Sequence, residues 1–350
     1  MAIQNYSTKA SRNTIRAELE MLRMSEEITV LCDMGKQHVQ PERETDTVVF
    51  RRLNAFNAAS NETPQITAND FIIPEGSVPD SYTIDYVDVS VTLQNYGVLF
   101  KMSSKSELMY EDDIPSDMVK QTGRVLGEIA EKVCYGQNIA GTNVIYAGGV
   151  SARASVASAI TSNALRLAAR TLNINRATPV AEMIKPGPNF GTVSVDPSFA
   201  VLCSTDCESD LREQLPGFKT RVDYGSSFKP IHKREFGAWE NFRFISSPLF
   251  TPWLAGGAAV GTTGLVATDS TNIDVYPYLV VAADAWGNIS LKGKNGFAGI
   301  KPSIIPSSQI SHANPLQTYG FVGGSMWINS VRLNENFMVR IEAGITDLDA

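Results

Sequence analysis

The longest helix signal in the chain is the stretch DDIPSDMVKQTGRVLGEIAEKVCYGQNIAG, residues 112–141. Asp112, Asp113 and Pro115 are typical of a helix N-terminus, where acidic side chains face the positive end of the helix dipole. They predict a helix over residues 115–140, roughly 37 Å long at 1.5 Å per residue. Its apolar stripe is predicted to contain Met118, Val125, Ile129 and Val133, with Leu126 and Ala130 beside them.

Three glycines lie inside this predicted helix: Gly123, Gly127 and Gly136. In a helix interior, glycine is less favourable than alanine by about 1 kcal/mol. Because glycine has no side chain, it also allows another backbone to approach closely. We therefore expect this helix to be packed against other parts of the protein rather than free.

Upstream of the helix, the sequence predicts two strands joined by a long connection. Residues 47–53 are rich in β-branched side chains, and residues 87–94 alternate apolar and polar side chains as a half-buried strand does. The alternation changes phase near Tyr86, which predicts a β-bulge there. Residues 54–82 have little periodicity. We interpret residues 46–101 as a long β-hairpin arm, and since a lone hairpin is marginally stable in water, the arm should need a partner surface.

The N-terminal region contains a second helical pattern, at residues 14–36. Ile15, Leu19 and Leu22 recur at helical spacing, and Gly35 is a suitable residue to end the helix. Two interpretations stay open at this point. The helix packs on its own domain, or it is an arm that packs on a neighbouring subunit.

Downstream of the long helix, strand and turn signals dominate. A shorter helix is predicted over residues 161–172, with Thr161 or Ser162 as its N-cap. The remaining predictions are strands at 192–195, 199–203, 241–246, 279–283 and 289–291, a short helix at 204–214, a surface loop at 254–272, and β or mixed structure at 326–341.

Composition excludes several classes of protein. The chain has 30 Lys and Arg against 37 Asp and Glu, a net charge of −7, and charged residues make up 19% of it. Such a chain is too apolar for a disordered protein, and its acidic balance argues against general neutralisation of nucleic-acid phosphates. No apolar run is long enough for a transmembrane helix, and the charged first residues are not those expected of a secretory signal. Four cysteines are too few for a disulfide scaffold, so reduced and mostly buried thiols are expected.

The sequence predicts no catalytic, cofactor or metal site. His38, His232 and His312 lie in unrelated segments without the spacing of metal ligands. The sequence contains no nucleophile elbow, no phosphate-binding loop and no dinucleotide-binding glycine pattern. The acidic run at residues 111–113 has side chains that bind cations, but capping of the following helix explains it more simply.

A set of short strings, in a fixed order along the chain, carries a resemblance to a known family. The strings are TVVFRR (47–52), PEGSVP (74–79), VTLQNYG (91–97), EFG (235–237), FRFISS (242–247), YP (276–277), AWG (285–287) and NPLQTYG (314–320). With the order of arm helix, long hairpin, long helix and mixed domain, they resemble the major capsid proteins of tailed bacteriophages, in particular the capsid family of the N4-like podophages. That family tends to have Asp and Lys where this chain has Asn314 and Ser325.

The resemblance implies an α+β architecture, the Hong Kong 97-type capsid fold, in five segments. They are an N-terminal arm with a helix (1–45), an extended loop (46–101), a peripheral domain with a spine helix at 115–140 (102–180), an axial domain (181–290) and a C-terminal return to the peripheral domain (291–350).

The resemblance also implies a function. The chain would self-assemble into hexamers and pentamers that form the icosahedral or prolate head shell around packaged double-stranded DNA. It implies no catalytic residues, no cofactor, no metal and no membrane partner, and it places the protein in the virion capsid after assembly in the host cytoplasm. The expected partners are copies of the chain, a separate scaffolding protein and a portal. The implied intersubunit contacts are Arg51, Arg52, Pro74, Glu75, Gly76 and Pro79.

Two other classes of protein stay open. One is a different self-assembling subunit, from a tail tube or a surface layer. The long helix at 115–140 argues against a mainly β tube protein, and the charged N-terminal residues argue against a secreted surface layer. The other is a cytosolic enzyme whose active site is built from residues distant in sequence.

Overall fold

Three sheets and one long helix dominate the part of the chain that the structure describes. In this computed structural model the described residues are 21, 29–53, 67–73, 75–76, 81–109, 113–180, 197–224, 230–261, 263–292, 300–310 and 314–348. The α-helices among them are α1 (Leu31–Met34), α2 (Ser104–Met109), α3 (Ile114–Ile139), α4 (Ser162–Ile174) and α5 (Glu208–Gln214). The strands are β1 (Lys36–Gln40), β2 (Thr47–Leu53), β3 (Tyr86–Thr92), β4 (Gln94–Ser103), β5 (Val144–Tyr146), β6 (Phe199–Ser204), β7 (Lys219–Thr220), β8 (Glu235–Trp239), β9 (Phe242–Ser247), β10 (Tyr276–Val281), β11 (Trp286–Leu291), β12 (Lys301–Ile305), β13 (Tyr319–Arg332) and β14 (Met338–Ala343).

The largest sheet has seven strands in the order β5-β14-β10-β6-β9-β8-β7. Every residue of β6, β9, β10 and β14 is buried. Helices α4 and α5 cover one face, through residues such as Leu165 and Leu211, and α1 with the C-terminal half of α3 covers the other, through Leu31 and Tyr135. Because both faces are covered, these strands are buried along their whole length, and buried and exposed residues do not alternate in them.

The second sheet is built around β13, the longest strand described. Strand β4 pairs antiparallel along one side of β13, while β12 and β11 share the other side end to end. Strand β1 then pairs in parallel with β11. The N-terminal half of α3 crosses this sheet where Leu126 and Thr122 lie against Gly324. This packing joins the long helix to the last part of the chain.

The long helix predicted at residues 115–140 is confirmed as α3. Asp113 is its N-cap, because its carboxylate accepts a hydrogen bond from the Ser116 N–H, and Pro115 lies in the first turn. For Asp113, helix capping is therefore confirmed as the interpretation of the acidic run at residues 111–113. Asp112 lies outside the described residues.

The predicted apolar stripe of α3 is wrong by part of a turn. Val125, Ile129 and Val133 are only half-buried. The buried face lies beside them and includes polar and glycine positions, which hide it from a count of apolar residues. Its members are Val119, Thr122, Gly123, Leu126, Gly127, Glu131, Cys134, Tyr135 and Asn138.

Close packing of the backbone is confirmed at one glycine of α3 and wrong at another. A Cβ atom at Gly123 would collide with the backbone of Met21, so only glycine allows the two segments to approach this closely. Gly136 is exposed, and a Cβ atom there would meet nothing within 4 Å. The helix is thus packed tightly at its N-terminal half.

Strands β2 and β3 confirm the two strands predicted upstream of the helix. Their antiparallel register runs without interruption from Thr47 opposite Thr92 to Leu53 opposite Tyr86. The β-bulge predicted near Tyr86 is therefore wrong. The alternation changes phase at this point because the strand begins there, after residues 81–85 that have no regular structure.

Strands β3 and β4 are separate, although the sequence suggests one extended segment. The break lies at Leu93, whose N–H donates a hydrogen bond to the carbonyl of Asp46. Before the break the chain pairs with β2, and after it the chain pairs with β13. One residue thus transfers the chain from the hairpin to the five-stranded sheet.

The helix predicted over residues 14–36 falls largely outside the described residues. Met21 is helical and buried, but Val30 is not helical. Helix α1 ends before Gly35, as predicted, and β1 starts directly afterwards at Lys36. A single helix through residue 36 is therefore wrong, and the reason lies in the contacts of Glu131 described below.

Most downstream predictions are confirmed. Helix α4 has Thr161 as its N-cap, with the hydroxyl accepting from the Ala164 N–H. The strands predicted at 199–203, 241–246, 279–283 and 289–291 correspond to β6, β9, β10 and β11, and residues 204–214 form a 3₁₀ turn followed by α5. The strand predicted at 192–195 lies outside the described residues.

One departure from the resembled family has a structural explanation. Asn314 is buried, and its Nδ2 donates to the carbonyl of Tyr319 at 2.7 Å while its Oδ1 accepts from the Thr318 N–H at 2.8 Å. An aspartate could accept but not donate. The amide is therefore the side chain that this loop before β13 requires.

Candidate functional site

The hairpin of β2 and β3 is attached to the body of the protein by one of its two faces. Val48 and Val91 are directly opposite each other and buried, and they pack with Ile289 of β11. Phe50 lies against Gly287, where a Cβ atom would come within 3.1 Å of the aromatic ring. The inner face thus forms a small core with the five-stranded sheet.

The outer face and the outer end of the hairpin expose apolar side chains. At the end of the register, Leu53 is 61% exposed and Tyr86, directly opposite, is 59% exposed. The described part of the connecting segment is similar, with Ile72 at 69% exposed. The large exposed apolar residues among the described residues of the hairpin and its connection, hereafter the hairpin patch, are Val49, Leu53, Phe71, Ile72, Ile73, Tyr82, Ile84 and Tyr86.

Such a concentration of exposed apolar side chains is unusual for a surface that faces water. Scattered exposed apolar residues are normal, but contiguous apolar patches mark surfaces that bind other molecules. Within the patch, Phe71 and Tyr82 are in ring contact at 5.5 Å, so the described connecting segment packs on itself. We infer that the hairpin patch is the part of the described surface that most needs a partner.

Arg51, one of the predicted contact residues, lies in the centre of the outer face. Its guanidinium forms two hydrogen bonds of 2.7 Å with the carboxylate of Asp88 on the opposite strand. The hydrogen bonds and charge of Asp88 raise the pKa of Arg51, and the Arg51 guanidinium lowers the pKa of Asp88. Arg51 also lies over the ring of Tyr86 at 5.7 Å. The pair connects β2 and β3 across the exposed face.

Of the other predicted contact residues, the structure describes Arg52, Glu75 and Gly76. Arg52 is on the opposite, half-buried face of β2, because successive side chains of a strand alternate. Glu75 and Gly76 are exposed in a turn, where Gly76 has a φ of +81° that favours glycine. Pro74 and Pro79 lie outside the described residues. The six predicted contacts therefore stay a prediction.

Sequence reasoning missed Glu131, which fixes the N-terminal segment on α3. Its buried carboxylate accepts hydrogen bonds from the backbone N–H groups of Val30, Leu31 and Cys32, at 3.0, 2.9 and 3.3 Å. Burial raises the pKa of Glu131, and the three N–H donors oppose that shift. In a continuous helix these N–H groups would bond to backbone carbonyls four residues earlier. Here they bond to Glu131 instead, and α1 begins at Leu31.

Two buried ion clusters in the seven-stranded sheet are also invisible in the sequence. Glu342 accepts from Arg153 at 2.6 Å and from Arg340 at 2.7 Å, and the guanidinium of Arg153 lies 3.6 Å from the ring centre of Trp253. In a second cluster, Arg243 and Tyr224 both donate to Glu235. Because their oxygens already accept hydrogen bonds from arginine and tyrosine side chains of the same chain, we assign these carboxylates to the core.

The described residues contain no group of three or more His, Cys, Asp or Glu side chains that could hold a metal ion. None of the helices described is both long and apolar enough to cross a membrane. Cys134, Cys203 and Cys207 are buried and Cys32 is half-buried, which confirms the prediction of mostly buried thiols.

We compared the sequence and the fold with those of known proteins. No protein-family model and no curated protein matches the sequence. Solved structures do match. The capsid of Ralstonia phage GP4 is 12% identical, with a TM-score of 0.62 over 91% of this chain and 88% of that chain. The capsid of cyanophage P-SCSP1u is 12% identical, with a TM-score of 0.54 over 90% and 88%. An encapsulin complex from Synechococcus elongatus is 9% identical, with a TM-score of 0.50 over 90% and 88%.

These similarities extend over about nine tenths of this chain. At such low identity they concern the fold. The α+β class implied by the resemblance is confirmed, and the likeness to N4-like podophages in particular stays a prediction. This chain has the Hong Kong 97-type capsid fold.

Proposed function

We propose that this chain is the major capsid protein of a tailed bacteriophage. It self-assembles into hexamers and pentamers, which form an icosahedral or prolate head shell around double-stranded DNA. The observation that carries the proposal is the hairpin patch on a chain whose fold is shared with phage capsids along about 90% of its length. An exposed apolar patch of this kind is typical of a surface that is buried against another molecule, and we propose that this molecule is a neighbouring copy of the chain.

In the assembled shell, the hairpin lies across an adjacent subunit and its patch is covered there. The inner face already packs on β11, so the outer face is the one available to a neighbour. Head-to-tail contacts of this kind, repeated around an axis, close into rings. Of the six predicted contact residues, we propose Arg51, Pro74, Glu75, Gly76 and Pro79 for this contact, and we add Leu53, Ile72 and Tyr86 because they are exposed. Arg52 is on the half-buried face of β2, so its contact with a neighbour stays a prediction.

We further propose that the five segments of the chain are the arm (1–45), the extended loop (46–101), the peripheral domain (102–180), the axial domain (181–290) and the C-terminal return (291–350). The contact of β13 with α3 supports a return to the peripheral domain, and the pairing of β13 with β4 connects the return segment to the extended loop. Strand β14 follows in the same segment but lies in the seven-stranded sheet. The return segment therefore contributes to both domains, and the subunit is interwoven.

The proposed partners are further copies of the chain, a separate scaffolding protein and a portal, and the proposed location is the virion capsid after assembly in the host cytoplasm. The net charge of −7 supports a shell that encloses DNA without holding it through a net positive charge. We propose a structural and not an enzymatic role, in line with the capsid structures that share the fold.

An encapsulin is the second candidate, because an encapsulin complex shares the fold at a similar coverage. Fold alone does not separate the two. The content of the particle does: nuclease-protected double-stranded DNA in particles from infected cells supports a phage head, and particles without DNA support an encapsulin.

Assembly is tested by expressing the full chain alone and together with the scaffolding protein of its own phage. Sedimentation and electron microscopy are expected to show megadalton shells. The matched variant lacks residues 60–80, a deletion confined to the connection between β2 and β3. It is expected to remain a soluble subunit with unchanged circular dichroism and to form no shells. Normal shells from this variant would contradict the role given to the extended loop.

A further inference from the structure

Residues 30–35, hereafter the elbow, are held at a junction of three parts of the protein. The carboxylate of Glu131 binds the backbone of the elbow from α3, as described above. The amide of Asn288, in β11, donates to the carbonyls of Leu31 and Cys32 at 3.3 and 3.0 Å. His232 lies 3.5 Å from Asp33, and connects the elbow to the loop before β8. The backbone position of Cys32 is therefore determined from several sides.

These contacts bring two thiols together. The Sγ atoms of Cys32 and Cys134 are 3.2 Å apart, although 102 residues separate them in sequence. Cys134 is three residues after Glu131 and lies on the same face of α3. Because Glu131 binds the backbone of the elbow, it positions Cys32 opposite the thiol of Cys134. A disulfide needs about 2.05 Å between the sulfurs, so the two atoms must approach by about 1.2 Å.

In the reduced protein, both thiols have defined surroundings. Cys134 Sγ donates to the Asn288 side-chain oxygen at 3.3 Å. The contact with Cys134 and burial raise the pKa of Cys32, with smaller contributions from Glu131 and Asp33. Since the thiolate is the reactive form, Cys32 reacts more slowly at neutral pH than a free cysteine does. Both thiols line a cavity of about 470 Å³, and Cys32 is the more exposed of the two, so a small reagent reaches it first.

We propose that Cys32 and Cys134 form an intrachain disulfide when the protein meets a small-molecule disulfide. The Cys32 thiolate attacks one sulfur of the reagent, whose other half leaves as a thiolate. The Cys134 thiolate then attacks the Cys32 sulfur, forms the protein disulfide and expels the second half. Two electrons pass from the cysteines to the reagent, and the two thiol protons end on its two released thiols.

The consequence is a covalent lock between the N-terminal segment and α3. A disulfide that closes a loop of this length restricts the unfolded chain strongly, so the oxidised protein is more stable than the reduced protein. The chemistry concerns one subunit and does not depend on the proposed function. If the chain is a virion protein, the lock would form after the particle leaves a reducing compartment.

The test uses purified, folded full-length chain and 2-hydroxyethyl disulfide, a small uncharged reagent. After incubation, free thiols are alkylated and the protein is digested without reduction for mass spectrometry. The expected product is a peptide pair linked through Cys32 and Cys134, lost on treatment with dithiothreitol. Cys203 and Cys207, both fully buried, should stay unmodified and act as internal controls.

The Cys134→Ser variant provides the matched control. Without the second thiol, Cys32 should accumulate as the mixed disulfide with the reagent, whereas wild type should pass through that species to the protein disulfide. Oxidised wild type should melt about 5 °C or more above reduced wild type, and Cys134→Ser should show no such rise. If Cys134→Ser does not fold, Cys32→Ala at the half-buried position replaces it in the melting comparison. Mixed disulfide without the link in folded wild type, or two free thiols after prolonged oxidation, would overturn the proposal.

Discussion

The seven-stranded sheet and the hairpin of β2 and β3 are both β structure in one chain, yet they differ in how much of their surface the chain buries. All residues of β6, β9, β10 and β14 are buried by helices and loops of the same chain. In the hairpin, by contrast, alternate residues are exposed, and several of these are apolar. The sheet can reach its stable state within one subunit. The outer face of the hairpin stays exposed to solvent within the described part of the subunit.

The largest effect on stability is expected from a substitution in the core of the seven-stranded sheet. Phe244 in β9 is fully buried in the cluster under α4. Replacement of Phe244 by alanine should lower the free energy of unfolding by about 3–5 kcal/mol, because it leaves a cavity that rigid neighbours cannot fill. Urea unfolding of the subunit, followed by tryptophan fluorescence, measures this. A loss below about 1 kcal/mol would show that this core is less tightly packed than described.

The two faces of the hairpin sharpen the comparison within one element. Val91 on the inner face is buried, so Val91→Ser should destabilise the subunit by about 2–3 kcal/mol. Leu53 on the outer face is exposed, so Leu53→Ser should change the free energy of unfolding by less than about 0.5 kcal/mol. The outer variant should nevertheless reduce the yield of assembled particles in sedimentation. Equal effects of the two variants on both stability and assembly would contradict the proposed division of faces.

Helix α3 offers a matched pair of glycine substitutions. Gly123→Ala should destabilise the subunit by about 1–2 kcal/mol, since the collision with the Met21 backbone outweighs the better helix propensity of alanine. Gly136→Ala, in open space on the same helix, should instead stabilise it by up to about 1 kcal/mol. Thermal unfolding of both variants beside wild type shows whether each substitution raises or lowers the stability of the subunit. If both variants are stabilised, the contact with Met21 is not close.

The smallest effect concerns the ion pair on the outer face of the hairpin. Arg51 lowers the pKa of Asp88, so the favourable interaction is present above the ordinary pKa range of Asp and is lost as the pH falls through the lowered value. Because the pair is exposed, its contribution to stability should be small and should weaken with salt. In Arg51→Gln the pKa of Asp88, followed by NMR, should rise toward the ordinary value. An unchanged pKa would exclude the pair in solution.

Local sequence patterns predicted the elements whose environment is simple. The alternation in residues 87–94 predicted β3 because one face of that strand is buried and the other exposed. The caps Asp113 and Thr161 predicted helix starts because capping depends on residues within one turn. The order of segments and the short strings together predicted the fold, because a shared order persists when individual residues change.

Patterns failed where polar residues are buried by distant parts of the chain. The buried face of α3 includes Thr122, Glu131 and Asn138, so an apolar count placed the stripe on the neighbouring edge. Glu131 reads as an ordinary charged helix residue until residues 30–32 are placed beside it. The Cys32–Cys134 contact depends on the same long-range meeting.

The sequence by itself determined helices α3 and α4, strands such as β2, β3, β6 and β9, their order, and the absence of familiar catalytic motifs, since these follow from local periodicity, caps and spacing. Tertiary structure alone decided which face of α3 is buried, where the N-terminal segment bends, and that Leu93 transfers the chain between two sheets. It also showed that the apolar residues of the hairpin patch stay exposed in the isolated subunit. The physical reason is that burial and hydrogen-bond partners are properties of residues brought together from distant positions, and no local pattern contains that information.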